Sequence, residues 1–420
     1  MIESEVLENI FMTTHLSPNR ERWLLFTLAG IQFTSVLDFM IMMPLGPQLT
    51  QLFGISAGEF GFLVSAYTFS AGLSGLLAST YIDRFGRKRM MLTLYPLFGA
   101  AALACSLAPS YGWLILARVA SGFFGGVLMA ISQTIVAEVI PFDRRGRAMS
   151  VVMTSFSVAT VAGVPLALFL VAHFNWHAPF LAIACMVSML VIVALNTLPS
   201  LKGHLQVQSA SDASMSLLAN LRLVLVDPNH LRAFAMSTSM VFAGFAVVPY
   251  IALYLQANAG FKTEEIPYVY LFGGISTLIS ARFIGQWSDR AGKAHAFRRL
   301  ALLMPLPLLA MTLSAGLPQW TILAISSVLF VIMSSRMIPG MALIGAAADP
   351  RRRGSFMTLN SSVQSLSMGL AAFVGGQILG SDGAGNLTHY WMAALIGGGA
   401  SLLSYVMASK LRLHGAAHSS

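Results

Sequence analysis

The sequence predicts an all-α integral membrane protein of twelve transmembrane helices, built as two six-helix bundles related by an internal repeat. Three observations carry that prediction. Hydrophobic residues make up 56% of the 420 residues and charged residues only 10%, with a mean hydropathy of +0.74. A soluble domain carries about 25% charged residues. Apolar runs long enough to cross a bilayer, which takes about 20 residues, recur twelve times. Finally, short motifs of the first half return in the second at a near-constant offset.

The runs fall at 23–46, 60–81, 90–108, 113–139, 149–172, 178–198, 233–257, 267–287, 299–317, 320–347, 357–379 and 390–409. Backbone polar groups cannot be left bare in hydrocarbon, so each run is expected to be a helix. The longest hydrophilic gap, 199–232, contains Pro199, Lys202, Gly203 and Asp227-Pro228. It separates a first bundle (23–198) from a second (233–409), with tails at 1–22 and 410–420. Of the 25 Lys and Arg, 21 lie in the two tails, the central gap and every second loop. The alternate loops hold only Lys262. By the positive-inside rule both termini and the 199–232 linker are expected in the cytoplasm, as in a bacterial inner-membrane protein.

The net charge of +9 is therefore topological and does not point to nucleic acid. Residues 1–22 carry Glu3, Glu5, Glu8 and Glu21 without a basic stretch ahead of an apolar core, unlike a cleavable signal peptide. Cys105 and Cys185 both fall within apolar runs and are expected to be buried hydrophobes, with no disulfide. No Gly-x-x-x-x-Gly-Lys-Ser/Thr loop occurs, which argues against energising by nucleotide. No cluster of His or acids marks a membrane-face enzyme, and no cofactor or metal is expected.

The repeat is visible in three places. Tyr81-Ile82-Asp83-Arg84-Phe85-Gly86-Arg87-Lys88, after run 2, returns as Trp287-Ser288-Asp289-Arg290-Ala291-Gly292-Lys293 after run 8, an offset of 206. Glu59 matches Glu265 at the same offset. Arg145-Gly146 with Met149-Ser150 returns as Arg353-Gly354 with Met357-Thr358 at 208. Such parallel repeats place a substrate between the halves near the midplane.

These residues resemble the major facilitator superfamily. Asp83-Arg84-Phe85-Gly86-Arg87-Lys88-Arg89 is similar to that family's signature loop between helices 2 and 3. Arg118-Val119-Ala120-Ser121-Gly122 resembles its fourth-helix Arg-x-x-x-Gly pattern, and the stretch from Pro141 to Ala148 resembles the following loop. Ala162-Gly163-Val164-Pro165-Leu166 is similar to the fifth-helix motif of the drug:proton antiporter and arabinose-efflux-permease-like branches, although Ala167 and Leu168 replace the glycines that often follow. The resemblance implies alternating access, with Asp83, Arg84, Gly86, Arg87, Arg144, Arg145 and Asp289 controlling the cytoplasmic side. It gives Gly163 and Pro165 a part in the same conformational gating.

A proton-driven carrier needs a titratable group inside the membrane. All nine histidines are assigned to loops or tails, and fourteen of the sixteen acids to tails, loops or run edges. Glu138 sits at the cytoplasmic end of run 4. Asp38 alone is an acid at membrane depth, where a charge costs about 2.5–3.5 kcal/mol or more. Thr34 and Ser35, one turn back, share its helix face. Arg118 is at matching depth in run 4, on a face of small and polar residues with Ser121, Gly122, Gly125 and Ser132. Two readings stand: proton or substrate coupling, or a permanent ion pair between runs 1 and 4. Arg336, in mid-run 10 before Pro339 and Gly340, is either an anion or substrate-carboxylate site or is capped by carbonyls freed by Pro339. Helix distortion is expected there.

Gln32, Gln133, Asn360 and Gln364 are candidates for a substrate cavity with Thr34 and Ser35, or for hydrogen bonds between helices. Tyr67, Tyr250 and Tyr254 either add aromatic contacts for a substrate or, as expected first, stand at the lipid interface. The sequence as a whole predicts a monomeric secondary transporter of small molecules in the lipid bilayer, most simply a proton-coupled exporter of drug-like compounds or metabolites. The alternatives are a sugar or metabolite facilitator or exporter without proton antiport, and a non-transporting sensor on the same scaffold.

Overall fold

The computed structural model describes residues 17–81, 85–140, 142–198, 223–349 and 353–413. The sixteen N-terminal residues, 199–222 and the last seven lie outside it, as do Asp83 and Arg84 of the signature loop. Among the described residues the chain is helical apart from its connections and one small antiparallel pair, Gly380–Ser381 with Leu387–Thr388.

The first bundle holds span 1 (Pro18–Ile41, continued as Gly46–Phe53), span 2 (Ala57–Tyr81), span 3 (Arg87–Ser106) and span 4 (Tyr111–Val139). Span 5 (Phe142–Val158, continued through Ala159–Gly163 to His173) and span 6 (Ala178–Thr197) complete it. The second holds span 7 (Pro228–Phe245, continued as Ile251–Ala259), span 8 (Ile266–Ala291) and span 9 (Lys293–Leu303 with Pro305–Thr312). It ends with span 10 (Gln319–Ala347), span 11 (Arg353–Ile378) and span 12 (Tyr390–Ser409). Ten of these are long and apolar enough to cross a membrane by length and composition alone. Span 9 is diluted by Lys293, Arg298 and Arg299, and span 11 by Asn360, Gln364 and its serines.

Local chemistry sets several limits that apolar runs do not show. Span 7 starts at Pro228, inside the segment the sequence assigns to the linker, because Asp227 caps it by accepting from the Asn229 and His230 amides at 2.7 and 3.3 Å. His230 is thus not a loop residue but fully buried. Its Nδ1 lies 3.2 Å from the Val224 carbonyl oxygen, and its Nε2 accepts the Asp349 amide at 3.1 Å. Span 5 is not a uniform helix. Pro165 lacks an amide to donate, and the turn before it, Ala159–Gly163, widens to π geometry. Span 10, by contrast, runs unbroken through Pro339. Cys185 is exposed on span 6, so the buried-hydrophobe expectation holds only for Cys105. Both thiols are free.

The repeat extends to the backbone. Spans 1 and 7 break at Met42–Leu45 and Ala246–Tyr250, each around a proline, Pro44 or Pro249. Each short continuation ends at a left-handed glycine, Gly54 at φ 61° and Gly260 at φ 69°, an offset of 206. The next helix then opens with the same device. The Ser56 amide donates to Glu59 Oε2 at 2.8 Å, and the Lys262 amide to Glu265 Oε2 at 2.9 Å.

The bundles meet along a seam formed chiefly by spans 2 and 11. A methyl group on Gly61 would lie 2.9 Å from the Ala372 carbonyl oxygen, and one on Gly72 would lie 3.1 Å from that of Ser362. Phe62 meets Phe373 edge-on at 6.4 Å. At the end of the molecule away from the termini, Phe60 packs on Tyr250 and Gly46 against Leu253. Spans 5 and 8 touch at mid-depth, where Gly274 faces Val161. That contact does not continue towards the termini: of residues 275–291 only Ser288 is buried.

Candidate functional site: a buried ion pair beside the seam

The structure brings Asp38 and Arg118 together. Arg118 Nη1 donates to Asp38 Oδ2 at 2.8 Å and to the Asp38 backbone carbonyl at 3.1 Å, with both side chains wholly shielded. Span 4 reaches span 2 closely enough to do this because of its small face. A methyl group on Gly122 would fall 2.2 Å from the Tyr67 carbonyl oxygen, and one on Gly125 would fall 2.6 Å from the Tyr67 hydroxyl. The small residues therefore serve close packing and do not line a cavity.

Tyr67 lies between the two helices. Its ring covers the guanidinium, with Arg118 Cζ 4.5 Å from the centroid, and its hydroxyl donates to the Ser35 carbonyl at 3.4 Å. Thr34 shares a 3.0 Å hydroxyl hydrogen bond with Tyr95 of span 3, and Ser35 bonds back to Ile31. On the far side of span 1, Gly163 of the π turn packs on Leu37 and Phe33, and Thr160 donates to Met40 Sδ at 3.5 Å.

The pair is incompletely satisfied. Asp38 Oδ1 and both Arg118 Nε and Nη2 have no hydrogen-bond partner. A pair whose only task is to fasten two helices is expected to satisfy its remaining donors and acceptors, since each orphan carries a desolvation cost of about 1–3 kcal/mol or more. This site keeps acceptor and donor capacity in reserve.

Arg336 is not part of it. Its guanidinium lies within the second bundle. Nη2 donates to the Met240 carbonyl of span 7 at 2.6 Å and Nη1 to Ser401 Oγ of span 12 at 3.3 Å. The carbonyl that caps it belongs to another helix and is not one released by Pro339. Among the described residues no salt bridge joins Arg336 to an acid.

The other candidates scatter. Gln32 and Asn360 are buried, each with a side-chain oxygen lacking a partner. Gln364 donates to Ser237 Oγ at 3.0 Å and so links spans 11 and 7. Gln133 is exposed. Tyr67, Tyr250 and Tyr254 are buried in protein instead of standing at the lipid interface. Tyr250 donates to the Ala372 carbonyl across the seam, and the Tyr254 hydroxyl accepts the Ala315 amide at 3.0 Å.

At the terminal end, Gly86 caps span 3, and Arg87 is buried with its Nε 2.9 Å from Glu138. Arg144 pairs at the surface with Glu21 at 3.2 Å, and Asp289 pairs with Lys293 one turn on. The Arg145 side chain is outside the description.

Sequence reasoning missed the parts played by four residues. Tyr67 could have been found by asking what packs against Gly122 and Gly125. Glu138 is opposite Arg87, which a topological count of basic residues hides. Phe39 and Phe245, which meet at 5.9 Å across the seam, are separated by the repeat offset of 206.

Two helical bundles around a seam, with an ion pair sealed in one of them, define a polytopic transporter of the secondary kind. The chain belongs to the Major Facilitator Superfamily, whose sequence profile matches residues 28–372. It is 26% identical over 388 residues to the uncharacterized MFS-type transporter YtbD of Bacillus subtilis (strain 168), covering 90% of this chain and 94% of that one. The uncharacterized MFS-type transporter YbcL of the same organism is 24% identical over 379 residues, covering 89% and 92%. Among solved structures, a D-xylose-proton symporter superposes with a TM-score of 0.74 at 16% identity, over 94% of this chain and 98% of that one. An inward-facing, occupied bacterial homolog of the human lysosomal transporter Spinster gives 0.71 at 14%, with the same coverage. Members of this family carry small molecules and are not enzymes.

Proposed function

We propose that the protein exports small organic molecules, drug-like compounds or metabolites, in exchange for protons entering the cell. The observation that carries this reading is the Asp38–Arg118 pair, sealed within the first bundle with Asp38 Oδ1 unpartnered. A carboxylate at that depth is costly unless it works, and Oδ1 is an open seat for a proton. Protonation of Asp38 releases Arg118 from its only carboxylate partner among the described residues, which alters how span 1 is held to span 4.

In this reading both termini are cytoplasmic, the membrane is the bacterial inner membrane and the monomer is the working unit. The seam, joined at mid-depth and at the end away from the termini, is in the state that opens to the cytoplasm. Asp83, Arg84, Gly86, Arg87, Arg144, Arg145 and Asp289 close that side in the opposite state. The π turn at Gly163 and Pro165, set between Leu37 and Gly274, is where span 5 flexes. Gln32, Asn360 and Gln364 contribute polar contacts to the substrate path.

The test is transport of a panel of fluorescent organic cations and amino-acid-sized metabolites in liposomes under an imposed pH gradient. The parent should concentrate a substrate against its gradient, and Asp38→Asn should permit only downhill exchange. Uphill transport by the mutant equal to the parent's would sink proton coupling through Asp38. Downhill movement alone in the parent would establish the facilitator reading.

A further inference from the structure

Tyr67 touches everything that the proposed coupling has to join. Its ring covers Arg118 at 4.5 Å and stacks on Phe39 at 5.6 Å between centroids, with planes 28° apart. Phe39 in turn meets Phe245 of the second bundle at 5.9 Å. Phe39 is the residue after Asp38, and it is related to Phe245 by the repeat offset of 206. The two rings thus come from equivalent places in spans 1 and 7, Phe245 directly before its break and Phe39 within one turn of it.

A continuous path of packed side chains results: Asp38, Arg118, Tyr67, Phe39, Phe245. It crosses the seam within one residue of the acid. Neither end of Tyr67 is free to drift. Its hydroxyl fills the space over Gly125 and reaches the Ser35 carbonyl, and its backbone oxygen lies against Gly122.

We propose that Tyr67 is a positioning residue that transmits the state of the Asp38–Arg118 pair to the seam through Phe39 and Phe245. While Asp38 is ionised, Arg118 is held at span 1 and Tyr67 is pinned beneath it, so Phe39 stands where Phe245 meets it. When Asp38 takes a proton, Arg118 is released, the cation–π contact weakens, and Tyr67 and Phe39 give up that position. The seam loses an aromatic contact at the level where spans 1 and 7 are already broken. The inference rests on the coupling reading of Asp38 and adds the route by which coupling reaches the other bundle.

The groups that could titrate beside Asp38 are few among the described residues. They are Arg118 of span 4, Tyr67 of span 2, and Tyr95 and Cys105 of span 3. Span 5 meets span 1 there through Gly163 and Thr160, and span 7 through Phe245, none of which titrates.

The experiment follows the distance between the bundles without needing a substrate. Full-length protein in lipid nanodiscs carries spin labels at Gln51→Cys and Gly383→Cys, both exposed and on opposite bundles, in a Cys185→Ser background. Cys105 is fully buried and stays unlabelled. Distance distributions are recorded across the pH range in which carboxyl groups titrate. Coupling of two sites in proteins amounts to about 5- to 150-fold in an equilibrium.

In the parent the population ratio should change with pH by a factor in that range, and Asp38→Asn should remove the change. Tyr67→Leu and Phe245→Leu should both collapse the factor towards unity, while Tyr67→Phe, which keeps the ring, should retain most of it. Phe245→Leu guards against a folding defect, since Phe245 is only half-buried. If the parent responds, Asp38→Asn does not, and both leucine variants respond like the parent, the relay is wrong and the coupling reading survives. A parent without any pH response removes both.

Discussion

The two bundles share a frame and differ in charge. Gly54 and Gly260, the Glu59 and Glu265 caps, and Phe39 and Phe245 all recur at 206. The buried ions do not. At the same offset Asp38 corresponds to Gly244, which packs against Met333. At 208, Arg118 corresponds to Ser326, bonded to its own helix, and Arg336 to Leu128. The first bundle therefore holds an acid and a base that neutralise each other and are not fully satisfied. The second holds a cation that donates to a carbonyl and a hydroxyl, with its Nε likewise unpartnered, and no acid beside it among the described residues. Duplication supplied the breaks and caps, whereas among the described residues the one fully buried acid lies in the first bundle.

The largest effect expected from breaking this contrast is at the pair. Arg118→Leu strands Asp38 and should cost about 3–5 kcal/mol, read as a lowered midpoint in denaturant titrations in mixed micelles. Adding Asp38→Asn should recover most of it. Arg336→Met removes a cation that has no charged partner and should change stability by no more than about 1.5 kcal/mol, because shedding a buried charge offsets the lost hydrogen bonds. Equal losses at Arg118 and Arg336 would erase the distinction between the bundles.

Next comes the packing that makes the pair reachable. Gly122→Ala puts a methyl group 2.2 Å from the Tyr67 carbonyl. It should cost about 1–3 kcal/mol by forcing spans 2 and 4 apart, and should also weaken the response to pH. The shared frame gives a smaller and symmetric expectation. Glu59→Ala and Glu265→Ala, which remove the accepting oxygen, should each lower the unfolding midpoint slightly, by the same measurement and to the same degree in the two halves. Smallest of all is Arg144→Ala. Its bridge to Glu21 is half-exposed and is worth less than about 1 kcal/mol, so any change there should appear in transport rate and not in the unfolding midpoint.

Much of this was legible beforehand because a bilayer makes strong demands on a sequence. Lipid forbids unsatisfied backbone, so runs of apolar residues had to be helices, and a lone Asp38 had to stand out. Its partner followed from depth alone, since Arg118 was the only cation in the first bundle's apolar runs. Legibility ended wherever a side chain's neighbour belonged to another helix. Tyr250 and Tyr254 have the composition of interface anchors but point inward, because hydroxyls near a seam find backbone partners there. Gln364 has the type of a cavity residue, and only the structure shows that it bonds Ser237 of span 7. His230 looked like a loop residue until the Asp227 cap drew it into span 7.

By itself the sequence determined the class of fold, the duplication, the depth of the charges and which acid lies within the membrane. These follow from one-dimensional facts: hydropathy, spacing and the cost of a charge in hydrocarbon. Only the tertiary structure decided that Asp38 Oδ1 is left open, that Arg336 is caged away from the pair, and that Tyr67 links Arg118 to the seam. The reason is geometric. Which face a helix turns to its neighbour depends on how closely the two backbones approach, and at Gly122 and Gly125 that approach is set by the helix on the other side.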